Sequence, residues 1–242
     1  MHISNRLFIR SEMKTSDIII SNPYLILVLE HLGINMEMHE KTISQICSEY
    51  KVSTELFLVI VNLFNGFNPS VATEYSSGNI LTVINYLKNS HKYYLEEKYP
   101  EIQGYIEMIN RINDHKEILM IGKFFEEYFE EVVEHLDYED EVVFPYVLQL
   151  NEKLNLKVKS ETITNYSVTE YKDHHDDIEE KLTDLYNLLL KYIPQKNDQQ
   201  IRRKLILSLF ELDYDLKIHS RIEETVLIPL VIKMEQLAAG LK

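Results

Sequence analysis

Two stretches of this 242-residue chain match each other at an interval of 84 residues, and the match falls on ionisable side chains. The interval carries His91 onto His175, His135 onto His219 and Glu139 onto Glu223. It also superposes Glu127 on Glu211, Val142 on Val226, Pro145 on Pro229 and Val147 on Val231. Such an offset reads as a two-helix unit used twice. Within each copy the pattern is His-x3-Glu followed by an apolar residue and proline: His135 to Glu139 with Phe144-Pro145, and His219 to Glu223 with Ile228-Pro229. Residues four apart lie on one face of a helix with Cβ atoms about 6 Å apart, so each pair can offer an imidazole and a carboxylate to one ion. A lone His-x3-Glu is most often a surface ion pair. Its repetition changes that reading.

Apolar residues at helical spacing lead into or out of each histidine. Ile80, Ile84 and Leu87 precede His91; Phe125, Tyr128 and Val132 precede His135; Leu209, Leu212 and Leu216 precede His219. Leu182, Leu185 and Leu189 continue the stripe that starts at His175 and Ile178. Each histidine therefore belongs to the buried face of its helix. Residues on antiparallel helices are level when the turn falls midway between them. The midpoints are residue 113 for His91 and His135, 155 for His135 and His175, and 197 for His175 and His219. They fall in Asn113-Asp114, Asn151 to Asn155 and Pro194 to Asp198, all turn-like. The expectation is an all-α chain with an up-down-up-down four-helix bundle, in which His91, His135, His175 and His219 meet at one level and Glu139 and Glu223 lie one turn away.

Four neutral imidazoles and two carboxylates suit two borderline ions, iron ahead of zinc or manganese, with the glutamates bridging and positions left for an oxo or hydroxo bridge and a small diatomic ligand. Six buried ionisable groups without a metal would need an unusually complete hydrogen-bond network. His174 would point about 100° away from His175 around the helix. It is grouped with His2, His31 and His39 as solvated, while His115, at the predicted turn, reads as a cap or a surface residue. Glu131 and Asp215 each stand four residues before a proposed ligand, where a carboxylate can orient an imidazole or face solvent.

Six Gly and six Pro are few for this length and favour helices. The single Cys47 excludes a disulfide or thiolate cluster within one chain. A net charge of −14 disfavours nucleic acid and anionic membrane surfaces. No signal-peptide core or bilayer-length apolar run is present, so a cytoplasmic location is expected. Turn formers around Gly66 to Gly78 mark a linker, giving a small N-terminal domain over 1–66, a linker over 67–78 and the bundle over 79–242. Three short helices are expected in the small domain: one between Asn22-Pro23 and Gly33, one from Thr42 and one from Ser53. The last two have the rhythm of a helix-turn-helix. However, Thr54 to Ile60 contains no Lys or Arg, and residues 1–66 hold five basic against seven acidic residues, the wrong footprint for DNA.

Residues 79–232 resemble the hemerythrin-like domain of di-iron proteins that repair iron–sulfur clusters after nitrosative or oxidative damage. The similarity rests on His91 ahead of Tyr99-Pro100-Glu101-Ile102, the two His-x3-Glu motifs with their prolines, and His175-Asp176. The four-His, two-Glu set is similar to the repair proteins and not to oxygen carriers, which use a fifth histidine. The first 66 residues resemble the small N-terminal domain of the same proteins, through Ser21-Asn22-Pro23, Gly33-Ile34 and Lys41-Thr42-Ile43. Where that family carries adjacent cysteines, this chain has Met36-Glu37-Met38-His39, so no thiol chemistry carries over. The resemblance implies two iron ions, damaged iron–sulfur proteins as partners, and O₂ or NO as small ligands. A homodimer is compatible with it. The alternative is reversible O₂ or NO binding or sensing without turnover; transcriptional regulation ranks lower. Ferritin-like oxidation is disfavoured, because that class spaces its ligands Glu-x-x-His.

Overall fold

The structure is a computed structural model that describes residues 7–68, 76–113, 116–156, 166–168, 171, 178–191 and 196–240, with only the backbone of Glu117 and of residues 178–180. Among the described residues it is all helical. Among the described residues the one β-bridge pairs Lys14 with Thr42. No described helix is long and apolar enough to cross a membrane.

The N-terminal stretch forms α1 (Thr15–Ser21), α2 (Leu25–His31), α3 (Ile43–Tyr50) and α4 (Thr54–Phe64). Thr42 and Gln45 build a reciprocal capping box on α3, and the Ser53 hydroxyl accepts from the Leu56 amide to start α4. Gly33, past the end of α2, takes the left-handed φ of 67° that a non-glycine residue adopts only under strain. The sequence reading expected three helices and missed α1. Its three consecutive isoleucines are poor helix formers without helical spacing. Tertiary contacts decide the matter: Ile18 is buried while Ile20 is exposed, and the Thr15 amide donates to the Lys41 carbonyl at 3.1 Å.

The rest comprises α5 (Ser77–Tyr93), α6 (Tyr99–Ile112), α7 (Lys116–Tyr138), α8 (Phe144–Leu156), α9 (Ile178–Lys191), α10 (Gln199–Ile222) and α11 (Ile228–Gly240). A five-residue π-helical turn joins α5 to α6 (Tyr94–Lys98), α7 to α8 (Glu139–Val143) and α10 to α11 (Glu223–Leu227). Each is followed two residues later by a proline, Pro100, Pro145 or Pro229. Proline has no amide to donate, and its ring clashes with the carbonyl four residues back. That carbonyl belongs to Glu96, Glu141 or Thr225, the middle residue of each π turn. Widening the helix at this place relieves the clash while keeping the rod helical.

Two of the expected turns lie at helix ends. α6 ends before Asn113, whose backbone is extended, and α10 begins just after Asn197 and Asp198. The third does not, because α8 runs through Asn151 and Asn155 to Leu156. Those asparagines donate from helical positions to the Ser77 hydroxyl at 3.1 and 2.9 Å, and so are not turn formers.

The chain divides into two compact units, each assembled from separate stretches. One comprises Met1–Asn89, Phe144–Glu170 and Ile218–Lys242. In it the Asn62 side chain accepts from the Ile9 amide at 2.8 Å and donates back to its carbonyl at 3.0 Å, while Asn22 donates to Asn65. His31, expected in solvent, is buried: its ring stands edge-on to Tyr86 at 5.2 Å, and its carbonyl accepts from Asn89 at 2.8 Å. Glu30 beside it takes the exposed side of α2, so His31 falls on the inward side with Val28 and Leu27. The other unit comprises Ser90–Val143 and Tyr171–Lys217. Its core takes in the stripes named above, from Phe125, Tyr128 and Val132 to Leu209, Leu212 and Leu216, with Leu182, Leu185 and Leu189. Ile178 belongs to residues of which only the backbone is described.

Candidate metal centre

His91 lies three residues before the first π turn, and the other two π turns begin on Glu139 and Glu223 themselves. Isolated π turns occur often at functional sites, because the extra residue re-aims the side chains around it. His91, Glu139, His219 and Glu223 are all buried. Glu139, with no exposed side-chain surface, stands with Oε2 at 3.1 Å from His91 Nε2 and Oε1 at 3.2 Å from His135 Nε2. His219 Nε2 and Glu223 Oε1 are likewise 3.2 Å apart, and Glu223 is fully buried. Cis donors around an ion with bonds of about 2.0–2.2 Å are separated by about 3 Å, so all three distances match an edge of a coordination polyhedron. Imidazole nitrogen and carboxylate oxygen without sulfur are the donors preferred by iron, zinc and manganese. His175, like His2, His115 and His174, lies outside the described residues.

Two further groups touch these donors, and one buried pair precedes a donor in the chain. Asp140 places Oδ2 at 3.3 Å from His91 Nδ1. A carboxylate at Nδ1 favours the tautomer that carries its proton there and leaves the Nε2 lone pair toward the site. The Tyr171 hydroxyl donates to Glu139 Oε1 at 2.8 Å, with both residues buried. The Tyr94 hydroxyl donates to Asp215 Oδ2 at 2.9 Å, four residues before His219. The sequence reading named Asp215 but not Asp140, Tyr171 or Tyr94. Asp140 was legible as the carboxylate after a ligand. The tyrosines had no local signal, since 16 tyrosines are spread along the chain.

The repeat does not extend to all surroundings. Glu131, equivalent to Asp215, is exposed and paired with Lys181, whereas Asp215 is buried. Glu127 pairs with exposed Lys123, whereas its counterpart Glu211 meets Lys98 Nζ at 2.8 Å and the Tyr93 hydroxyl at 2.7 Å. Lys98 is buried, which acts against its charge, yet Glu211 and Glu101 outweigh that cost and raise its pKa above the usual lysine value. Burial, with Glu211 beside it, also pushes the Tyr93 phenol well above its ordinary range.

Cys47 is buried in α3, and burial pushes its thiol up to about 11. Comparison of the chain with family models, curated proteins and solved structures finds no match.

Proposed function

We propose that this chain is a carboxylate-bridged two-iron protein with a hemerythrin-type four-helix bundle, whose work is to supply or restore iron to iron–sulfur clusters damaged by nitrosative or oxidative stress. The observation that carries the reading is Glu139, a buried carboxylate whose two oxygens face two different imidazoles at 3.1 and 3.2 Å. A carboxylate serving one ion needs only one such neighbour. One with an imidazole at each oxygen has the donor pattern of a bridge. Burial of Glu139 and Glu223 is costly unless cations offset their charge, which again supports metal.

In this reading His91, His135, His175, His219, Glu139 and Glu223 hold the ions, and Asp140 keeps the His91 imidazole turned toward them. Bound iron supplies redox capacity and open positions for a diatomic ligand such as NO or O₂. The proposed partners are damaged iron–sulfur proteins.

Elemental analysis and an electronic spectrum of protein made in iron-replete cells test the centre. The expected result is two irons per chain; a reproducible value near one, or none, overturns the two-ion reading. A second reading, reversible O₂ or NO binding without turnover, is favoured by Cys47: the sole thiol is buried and held protonated, so the chain offers no thiolate for cluster chemistry. Incubating the iron-loaded protein with a nitric-oxide-treated cluster enzyme separates the two. Iron leaving this chain as the enzyme regains its cluster supports repair, whereas ligand binding with no loss of iron supports the second reading.

A further inference from the structure

Tyr171 makes one half of the repeated site unlike the other. The interval of 84 residues pairs Tyr171, four before His175, with Leu87, four before His91. Leu87 is buried and aliphatic and cannot donate a hydrogen bond from its side chain. Tyr171 is buried and gives its phenolic proton to Glu139 Oε1 at 2.8 Å. The same oxygen lies 3.2 Å from His135 Nε2, while Oε2 lies 3.1 Å from His91 Nε2. A carboxylate can rotate about the bond to its chain, and a donor attached to one oxygen stops that rotation. The phenol and the His135 side together use both lone pairs of Oε1.

We propose that Tyr171 is a positioning residue: its hydroxyl sets the plane of the Glu139 carboxylate so that Oε1 serves an ion beside His135 while Oε2 serves one beside His91. This rests on the two-ion reading above. Without the hydroxyl the carboxylate turns freely, and the ion on the His135 side, which depends on the restrained oxygen, loses most. The Asp140 contact at 3.3 Å still orients His91, so the ion on that side is little affected. Loss of a hydrogen bond to a ligating group ordinarily lowers metal affinity by about 10-fold to 100-fold.

Anaerobic titration of the full chain with cobalt(II) alone, followed by its visible absorption bands, tests this in the wild type, Tyr171→Phe and Tyr171→Leu. Phenylalanine keeps the ring and removes only the hydroxyl; leucine copies the residue of the other half. Two cobalt ions per chain are expected in all three. The weaker step should shift by about 10-fold to 100-fold in both variants, and the tighter step should stay within about 3-fold. Bands of the second equivalent should also change in both. A Tyr171→Phe titration that superposes on the wild type overturns the proposal, as does a shift in Tyr171→Leu alone, which would mark a packing role. One ion per chain in the wild type would instead overturn the two-ion reading and take this proposal with it, so the two failures are distinguishable.

Discussion

Glu139 touches the imidazoles of His91 and His135 and the Tyr171 phenol, and has no exposed side-chain surface. Replacing it with glutamine keeps the shape but removes the negative charge that two cations require. Glu139→Gln should therefore carry less than one iron per chain, read by elemental analysis. Asp140→Asn, which weakens only the hold on His91 Nδ1, should lower affinity by about 10-fold with the two-ion stoichiometry kept. Cys47 gives a prediction with the opposite sense. A thiol held near 11 is thiolate in roughly one molecule in ten thousand at pH 7. Native protein should resist a thiol reagent at pH 7, and protein unfolded in denaturant should react at once. Because the unfolded thiol ionises at 9.0 and the folded one at about 11, Cys47 favours the folded state less and less as pH rises through that interval. A Cys47→Ala variant should lose less stability than the wild type on going from pH 8 to pH 11.

At the scale of elements, the end of α6 and the start of α10 are tied by buried polar groups. Asn113 donates to Asp198 Oδ2 at 3.0 Å, and Arg202 donates to the same oxygen at 2.7 Å and to the Leu189 carbonyl at 3.1 Å. Burial works against the Asp198 charge, but Arg202 and Asn113 outweigh it and hold the carboxyl below its ordinary value. Asp198→Asn removes the carboxylate that Arg202 meets in a buried place and should cost about 3 kcal/mol, measured as a shift in the urea midpoint. A depressed carboxyl stabilises above its unfolded pKa, and that contribution disappears as pH falls through the lower folded value. The gap between wild type and variant should therefore be full at pH 7 and shrink below about pH 4. Asn113 and Asp198 were readable as turn residues. Their bond to each other was not, because it spans 85 positions of chain.

At the scale of the whole molecule, the N-terminal residues are bound to later helices inside one compact unit. Asn89 donates to the His31 carbonyl, Arg221 donates to the Phe67 carbonyl and to Asn68, and His31 packs on Tyr86. Three side-chain hydrogen bonds at about 1 kcal/mol each and a ring contact of about 1 kcal/mol would be lost from a chain beginning at Ser77. Its melting temperature should be lower by roughly 8–16 °C in a calorimetric scan. All six proposed ligands follow Ser77, so its iron content should remain near two per chain. Iron lost on truncation would mean that the first residues build part of the site.

Helix positions, caps and the buried stripes were legible in the sequence because they depend on residues within one or two turns of each other. Apolar spacing marks which face is buried, Thr42 and Ser53 supply caps, and the prolines at 100, 145 and 229 forbid a regular helix just before them. The candidate donors were legible for a different reason: a repeated interval preserves their spacing. Contacts that join residues far apart carry no such local mark. α1 forms with the Thr15 amide held by the Lys41 carbonyl and Ile18 buried, against the propensity of its own isoleucines. Asn151 and Asn155 stay helical because Ser77 takes their hydrogen bonds, and His31 is buried because Tyr86 covers it. Glu131 and Asp215 hold the same place in the repeat yet differ in exposure, since one meets Lys181 and the other Tyr94. Periodicity determines which side of a helix faces inward; the partner waiting there, and so the chemistry of each carboxylate, depends on packing between segments that the sequence keeps far apart.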